Sequence, residues 1–192
     1  KLQASIVDRV MQVAQRCDGT PFMVLLSVYA IVLGRLAGQQ DVVVGIPVSG
    51  RPDNGDGLMG LFVNASPIQI TTTPKQSFID LVMQVRNSVV DAMAHAQIPW
   101  EFLVEALAPT RSLDRAPVFQ VSFTLQPDPV ASATSLGLTF EDVPIPIRAA
   151  KFELSLELQV SADGEHVGVL EYNTDLFDEA TARQCVAHFV QV

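Results

Sequence analysis

Residues 41–70 read DVVVGIPVSGRPDNGDGLMGLFVNASPIQI, and this stretch determines how the rest of the chain is interpreted. Two apolar runs, Asp41–Val48 and Leu61–Ile70, enclose a segment of turn-forming residues. Residues 49–60 hold four glycines together with Pro52, Asp53, Asn54 and Asp56. These residue types favour loops, so we predict two strands joined by a loop. The β-branched run Val42–Ile46 is typical of a strand that is buried on both faces.

Helical patterns precede this pair of strands. The first is predicted to run from Gln3 to Arg16. Thr20 is expected to cap a second helix, with Pro21 at its first position, where the missing N–H of proline has no cost. This helix extends to about Ala37 and is apolar nearly all round, which indicates a position deep in the core.

Two further helices are predicted after the strands. Ser77 and Asp80 form a capping-box-like start for an amphipathic helix that ends near Ala94. Its expected inner stripe is Phe78, Leu81, Val82, Val85, Val89, Ala92 and Met93. A short helix follows from Trp100 to Leu107, and we expect Trp100 and Phe102 to lie in the core.

The second half of the chain is predicted to be mainly β-structure. Val118–Leu125 forms a strand, and residues 138–147 contain two prolines, which restricts any strand there to an edge or crossing position. Residues 152–161 alternate strictly between apolar and polar types, so one face of that strand is buried and the other is wet. Residues 162–165 form a hairpin turn before a returning strand, and Asp178 caps a last helix. The fold class is α+β, a mixed sheet with flanking helices.

Composition limits the class of protein. The 192 residues are 48% hydrophobic and 17% charged, with a net charge of −9, as expected of one acidic globular domain or one lobe of a larger domain. This charge disfavours nucleic acid and anionic membrane surfaces as partners. The apolar run Pro21–Leu33 is too short to cross a membrane, so it is interpreted as a buried helix. Both ends fall within helical patterns, and we expect a chain truncated at each end.

The cysteines and histidines suggest no redox or metal chemistry. Cys17 and Cys185 lie in apolar helical sequence, which predicts core packing in a reducing, cytoplasmic setting. The three histidines lack metal-ligand spacing, so no metal site is predicted. Phosphate-binding glycine loops and a Gly-x-Ser-x-Gly elbow are absent from the sequence. His95 is interpreted as a residue that stabilises a helix C-terminus rather than as a catalytic base.

Three polar residues remain open to two interpretations. Asn64, within an apolar strand, either satisfies nearby backbone, such as the Gly60 turn, or faces a cavity that holds polar ligand groups. Arg51 and Arg111 are either solvated loop residues or ligands for an anion such as the phosphate of a pantetheine arm.

Four segments occur in an order that resembles the later motifs of the condensation domains of nonribosomal peptide synthetases. They are Ser49-Gly50-Arg51, Gly60-Leu61-Phe62-Val63-Asn64, His95-Ala96-Gln97-Ile98-Pro99-Trp100-Glu101 and Arg111-Ser112-Leu113-Asp114-Arg115-Ala116-Pro117. Several positions depart from the family pattern, among them Met59, Ala65, Ala96, Gln97 and Trp100. The family's His-His-x-x-x-Asp-Gly motif does not occur in these residues.

The resemblance implies one lobe of a two-lobe fold like that of chloramphenicol acetyltransferase. Residues 1–192 correspond to the C-terminal lobe, and Pro127–Ile147 would contain the arm that crosses to the N-terminal lobe. Candidates for lining the tunnel between the lobes are Ser49, Gly50, Arg51, Gly60, Phe62 and Asn64. The structural motif residues are His95, Gln97, Pro99, Glu101, Arg111, Arg115 and Pro117. No catalytic residue is expected in these residues.

The implied activity is formation of a peptide bond between two thioesters on carrier proteins. The expected partners are the N-terminal lobe, donor and acceptor peptidyl carrier proteins, and an adjacent adenylation domain. No cofactor is expected to bind directly, although the phosphopantetheine arms of the carriers would enter the tunnel. The lobe alone is predicted to be inactive and to self-associate. The alternatives are an epimerization or ester-forming relative, a non-catalytic docking module, and an acyltransferase that uses free coenzyme A.

Overall fold

The computed structural model describes residues 1–52, 54–55, 57–107, 115–127, 149–160 and 166–192. Five strands within these ranges form one mixed sheet, and helices pack against it, which confirms the predicted α+β class. The strands are β1 (Asp41–Ser49), β2 (Val63–Thr71), β3 (Val121–Pro127), β4 (Leu154–Val160) and β5 (His166–Tyr172). The helices are α1 (Ala4–Arg16), α2 (Pro21–Ala37), α3 (Phe78–Ala94), α4 (Trp100–Leu107) and α5 (Glu179–Gln191).

The sheet has the strand order β2-β1-β3-β4-β5. Its two ends are antiparallel pairs, β1 with β2 and β4 with β5, whereas β3 runs parallel to both of its neighbours. A parallel pair needs a crossover connection, so the long segment between β2 and β3 includes α3 and α4. The central position of β3 therefore joins the two antiparallel pairs into one sheet.

Helix α2 lies at the centre of the core, as its sequence predicts. Met23 N donates to Thr20 Oγ1 at 3.4 Å, and Pro21 occupies the first turn. Gly38 ends the helix in a left-handed conformation, with φ of 63°. Tyr29 and Leu26 are fully buried, and Tyr29 packs its ring against Phe123 of β3.

The run Val42–Ile46, predicted to be buried on both faces, is fully buried on one face and partly buried on the other. Val44 and Ile46 are buried against the core. On the other face Gly45 is buried and Val43 is half-buried, and Pro47, just beyond the run, is exposed. A β-branched run favours a strand, but it does not report what covers each face. Here the second face borders an open groove.

Helix α3 begins as predicted, but its buried stripe contains fewer residues than predicted. Asp80 N donates to Ser77 Oγ at 3.1 Å, which caps the helix. The buried residues of the predicted stripe are Leu81, Val82, Val85 and Val89. Met93 is 51% exposed, contrary to prediction, because burial ends before the last turn of the helix.

Helix α4 has the predicted bounds and no fully buried residue. Phe102 is 64% exposed, so its predicted core position is wrong, and Trp100 is half-buried. Glu101 and Glu105 lie on one face of α4 and its other residues are apolar, so a short helix on the protein surface cannot bury all of its apolar side chains.

The remaining predictions concern the cysteines, the last helix and the absence of a membrane span. Cys17 and Cys185 are both buried free thiols, as predicted. Thr181 N donates to Asp178 Oδ1 at 2.7 Å, so Asp178 caps α5. No single described helix is long and apolar enough to cross a membrane, and α1 and α2 pass that test only as a pair bent by 106°. The predictions for Arg111, for residues 128–147 and for the 162–165 turn lie outside the described residues.

Candidate functional site: a groove on the open face of the sheet

A groove of about 1120 Å³ lies on the sheet face opposite the α2 core. Its floor is formed by the outward residues of β3, β4 and β5. Its walls come from the start of β2 and from the connection between α3 and α4. The groove therefore lies where the sequence predicts one wet face of a strand, with Leu154, Leu156 and Leu158 buried beneath it.

The floor consists mainly of polar side chains, in two rows across the sheet. Register places Ser122 beside Ser155 and Ser155 beside Glu171 in one row. The neighbouring row contains Thr124, Glu157 and Val169. Ser122 Oγ donates to Ser155 Oγ at 3.0 Å. The floor can thus offer both hydrogen-bond donors and acceptors to a bound molecule.

The groove continues where β1 and β3 stop pairing. The two strands pair at Val44 with Val121 and at Gly45 with Ser122, although β3 continues to Pro127. Pro47 has no N–H to donate, so it cannot extend a ladder of hydrogen bonds. Ile46, Pro47 and Thr124 line the groove beyond the last pair.

An aromatic cluster closes one end of the groove. The Phe119 ring centroid lies 5.1 Å from that of Trp100 and 5.3 Å from that of Phe152. Phe119 follows a tight turn in which its N–H donates to Pro117 O at 2.8 Å, with Val118 at φ of 70°. A positive φ is unfavourable for a β-branched residue, so packing of the Phe119 ring has to offset this local strain.

Arg51 braces the loop between β1 and β2. Its Nη1 donates to Gly55 O at 2.7 Å and to Leu58 O at 2.9 Å, and its guanidinium lies 4.2 Å from the Phe62 ring centroid. Gly50 N also donates to Phe62 O at 2.6 Å across the base of the loop. These hydrogen bonds use Nη1 only. Both interpretations of Arg51, a solvated arginine or an anion ligand, therefore remain open.

Asn64 connects β2 to the segment between α3 and α4. Its Nδ2 donates to Ala96 O at 3.1 Å and to Ile98 O at 2.6 Å, while its Oδ1 accepts from Ala65 N at 3.0 Å. The amide therefore satisfies backbone, but the two carbonyls that accept from Nδ2 are distant in sequence, and no partner is in the Gly60 turn. Asn64 also borders the groove.

The family model for the condensation domain matches residues 1–192, the whole of the sequence. The chain belongs to the condensation domain family. It is 33% identical to surfactin synthase subunit 1 of Bacillus subtilis (strain 168) over 195 residues, which cover 100% of this chain and 5% of that protein. It is 38% identical to phosphinothricin tripeptide synthetase PhsC of Streptomyces viridochromogenes over 184 residues, or 94% of this chain and 17% of that protein.

Solved condensation domains share the fold. The condensation domain from monacolin K polyketide synthase MokA superposes with a TM-score of 0.86 at 20% identity, covering 100% of this chain and 44% of that one. The chain thus spans less than half of that solved structure and a small part of each synthetase named above.

The described condensation motif residues lie in the groove and at several positions around it. Gly50, Phe62, Asn64, Gln97, Pro99 and Glu101 line the groove. Ser49 and Arg51 lie at the base of the adjoining loop, where Arg51 N donates to Ser49 Oγ at 3.3 Å. Gly60 is exposed beside the Phe62 ring, and Arg115 and Pro117 lie at the entry to the turn before Phe119.

His95 ends α3, in the position its sequence context predicts. Its Nδ1 lies 2.8 Å from Asp91 O, and it lines a smaller cavity of about 290 Å³ next to the groove. The groove residues that sequence reasoning missed are Ser122, Thr124, Ser155, Glu157 and Glu171. The alternation in residues 152–161 identified the wet face of β4 but not what it faces. Among the described residues, no group of three His, Cys, Asp or Glu side chains could hold a metal ion.

Proposed function

We propose that residues 1–192 form the C-terminal lobe of a condensation domain and provide one wall of its substrate tunnel. The observation that carries this proposal is the groove, which lies on a sheet face whose opposite face packs against the core. In the two-lobe acyltransferase architecture that the resemblance implies, a second lobe would cover this face. Coverage of 44% of a solved condensation domain supports a chain of about one lobe.

The substrates in this proposal are two thioesters on the phosphopantetheine arms of donor and acceptor carrier proteins. Such an arm is extended and contains amide groups, which need both donors and acceptors along their path. The hydroxyl groups of Ser122, Thr124 and Ser155 offer both functions on the groove floor. Carrier proteins and an adenylation domain are therefore the proposed partners of the parent synthetase.

The proposed reaction joins the two substrates by amide formation. The acceptor amine attacks the donor thioester carbonyl, the new C–N bond replaces the C–S bond, the donor pantetheine leaves as a thiol, and the amine loses one proton. A base or positioning group for that amine would come from the His-His-x-x-x-Asp-Gly motif, which this sequence lacks. His95 is directed toward Asp91 O at the end of α3, so it is not proposed as a substitute.

The test is a reconstitution of the reaction with a longer protein, which includes about 250 further residues encoded upstream, a domain-sized stretch. Donor- and acceptor-loaded carriers are mixed with either the extended protein or residues 1–192, and the mass of the acceptor carrier is measured. We expect the amide product only with the extended protein. Product from residues 1–192 alone would contradict the proposal that the reaction needs the upstream motif.

The same reconstitution separates the alternative functions when chiral analysis of the released acyl groups, an alkaline hydrolysis step that cleaves esters but not amides, and a carrier-binding assay are added. An inverted donor α-carbon without amide formation would favour an epimerization relative, and an ester product would favour an ester-forming one. Transfer from free coenzyme A would favour an independent acyltransferase. Carrier binding without any product, with a disrupted upstream motif, would favour a docking module.

A further inference from the structure

Glu157 is held rigidly on the groove floor while one of its oxygens is left free. Gln126 Nε2 and Gln159 Nε2 both donate to Oε1, the second at 3.1 Å. Within the described residues, Oε2 accepts no hydrogen bond, and the ion pairs join other residues, Arg86 with Asp18 and Arg183 with Glu179. Two neutral amide donors orient the carboxylate and leave its charge uncompensated.

The neighbour of Glu157 on β5 is apolar and accessible. Register places Val169 directly opposite Glu157, so the two side chains share one face of the sheet. Val169 is 58% exposed and also lines the groove. A carboxylate beside accessible apolar surface is complementary to an aliphatic stem that ends in a cation, because the stem covers the apolar surface and the cation meets the carboxylate.

The charge of the groove as a whole is consistent with such a ligand. Among the residues that the structure describes, the titratable ones that line the groove are Glu101, Glu157, Glu171 and Lys151. The carboxylates outnumber the single ammonium, and no ion pair joins Lys151 to Glu157 in the described part of the chain. A cation in the groove would therefore be favoured over an anion.

We propose that Glu157 is a specificity-determining residue that selects an aminoacyl substrate with a basic, lysine-like side chain. Val169 contacts the methylene groups of that side chain, and Glu157 Oε2 accepts a hydrogen bond from its terminal ammonium. The α-amine of the acceptor is the less suitable partner, because a fixed carboxylate favours the protonated amine, and attack requires the neutral form. This inference rests on the proposed function of the groove and adds the chemical class of its substrate.

The test uses the whole synthetase and two probes, the pantetheine amides of lysine and norleucine. Norleucine lacks only the terminal ammonium, so the ratio of the two dissociation constants reports that group alone. We expect the wild type to bind the lysyl probe about tenfold more tightly in calorimetry, the order expected of one charge-assisted hydrogen bond. High salt should reduce the ratio, because screening weakens the attraction between the ammonium and the carboxylate.

Three variants assign the preference to its residues. Glu157→Gln should bring the ratio to about one without changing norleucyl binding, whereas Glu105→Gln, an exposed carboxylate on α4 outside the groove, should leave the ratio unchanged. Val169→Ser should weaken both probes equally. Equal binding of both probes by the wild type, or a preference that survives Glu157→Gln, would overturn the proposal.

Binding is measured without turnover, so a failure of this inference can be distinguished from a failure of the proposed function. A synthetase that forms no amide with any loaded carriers contradicts the proposed function, while the ratio of binding constants still decides the role of Glu157. A synthetase that forms amides but binds both probes equally retains the proposed function and excludes Glu157 as the selector.

Discussion

The Phe119 ring fills the space that any side chain at residue 45 would require. A Cβ on Gly45 would lie 2.0 Å from Phe119 Cε2, which is far inside van der Waals contact. The glycine is thus needed for a ring from the turn before β3 to pack directly on the β1 backbone. This contact anchors the aromatic cluster that closes one end of the groove.

Gly45→Ala should therefore displace the Phe119 ring and destabilise the fold by about 1–3 kcal/mol, the usual range for overpacking. Urea denaturation followed by circular dichroism measures the loss. Phe119→Ala in the same chain should remove most of the clash, so the double variant is expected to be less destabilised than the sum of the single variants. If the losses in the free energy of unfolding were strictly additive, this would contradict a direct contact between the two residues.

Asn64→Asp tests the amide donor at constant shape. The carboxylate places an oxygen where Nδ2 donates to Ala96 O and Ile98 O, so two hydrogen bonds become repulsive contacts. We expect a loss of about 1–3 kcal/mol in the free energy of unfolding. The loss should decrease in acid, because a protonated carboxyl can donate again. Asn87→Asp, at an exposed position on α3, serves as the control, and an equal effect there would argue against a specific role for Asn64.

Replacement of Arg51 should loosen the loop between β1 and β2. Lysine has no planar fork, so Arg51→Lys cannot donate to Gly55 O and Leu58 O while it covers the Phe62 ring. We expect amide hydrogen exchange in the described residues of the loop to increase about tenfold, with the core of α2 unchanged. Arg35→Lys, on the exposed last turn of α2, is the matched control. Unchanged exchange in the loop would mean that Arg51 does not brace it.

The Tyr29 hydroxyl is buried without a hydrogen-bond partner among the described residues. Tyr29→Phe removes this unsatisfied group with little change in packing, so the variant should be as stable as the wild type or about 1 kcal/mol more stable. Chemical denaturation at neutral pH measures the difference. A clear destabilisation would indicate that the hydroxyl has a partner.

The same variant should alter the response to alkali. Burial raises the pKa of Tyr29 far above its ordinary value, with a smaller contribution from Cys185. The unfolded chain releases the phenol proton near pH 10. Because the native state retains the proton, stability from this group is complete below that pH and is lost as the pH rises above it. Tyr29→Phe should reduce the alkaline loss of stability, and identical pH profiles would contradict this assignment.

The loop before β2 and the first residue of that strand expose apolar side chains, which predicts association of residues 1–192. Met59 is 100% exposed, Leu61 91% and Val63 65%. Sedimentation velocity at high concentration should detect dimers or larger species of residues 1–192, and Leu61→Glu should reduce them. Met11→Ser, at a half-exposed position on α1, is the control. A monomer at all concentrations would show that this surface does not drive association.

Sequence alone identified the features whose causes are local. Thr20, Ser77 and Asp178 cap helices through hydrogen bonds to residues three positions later, so both partners can be read in one short segment. The alternation around Leu156 likewise predicted a buried and a wet face, because side chains of a strand alternate. The resemblance carried by four short motifs indicated the family that comparison then established.

Only the tertiary structure decided how the groove is built. The amide of Asn64 reaches carbonyls 32 and 34 residues away, and Glu157 is oriented by Gln126 from a neighbouring strand. Phe119 packs on Gly45 because β1 and β3 are adjacent in the sheet. Sequence periodicity reports which side of an element is apolar, but not which distant element covers it. The sequence therefore determined the elements and the family, while strand order and register brought the groove residues together.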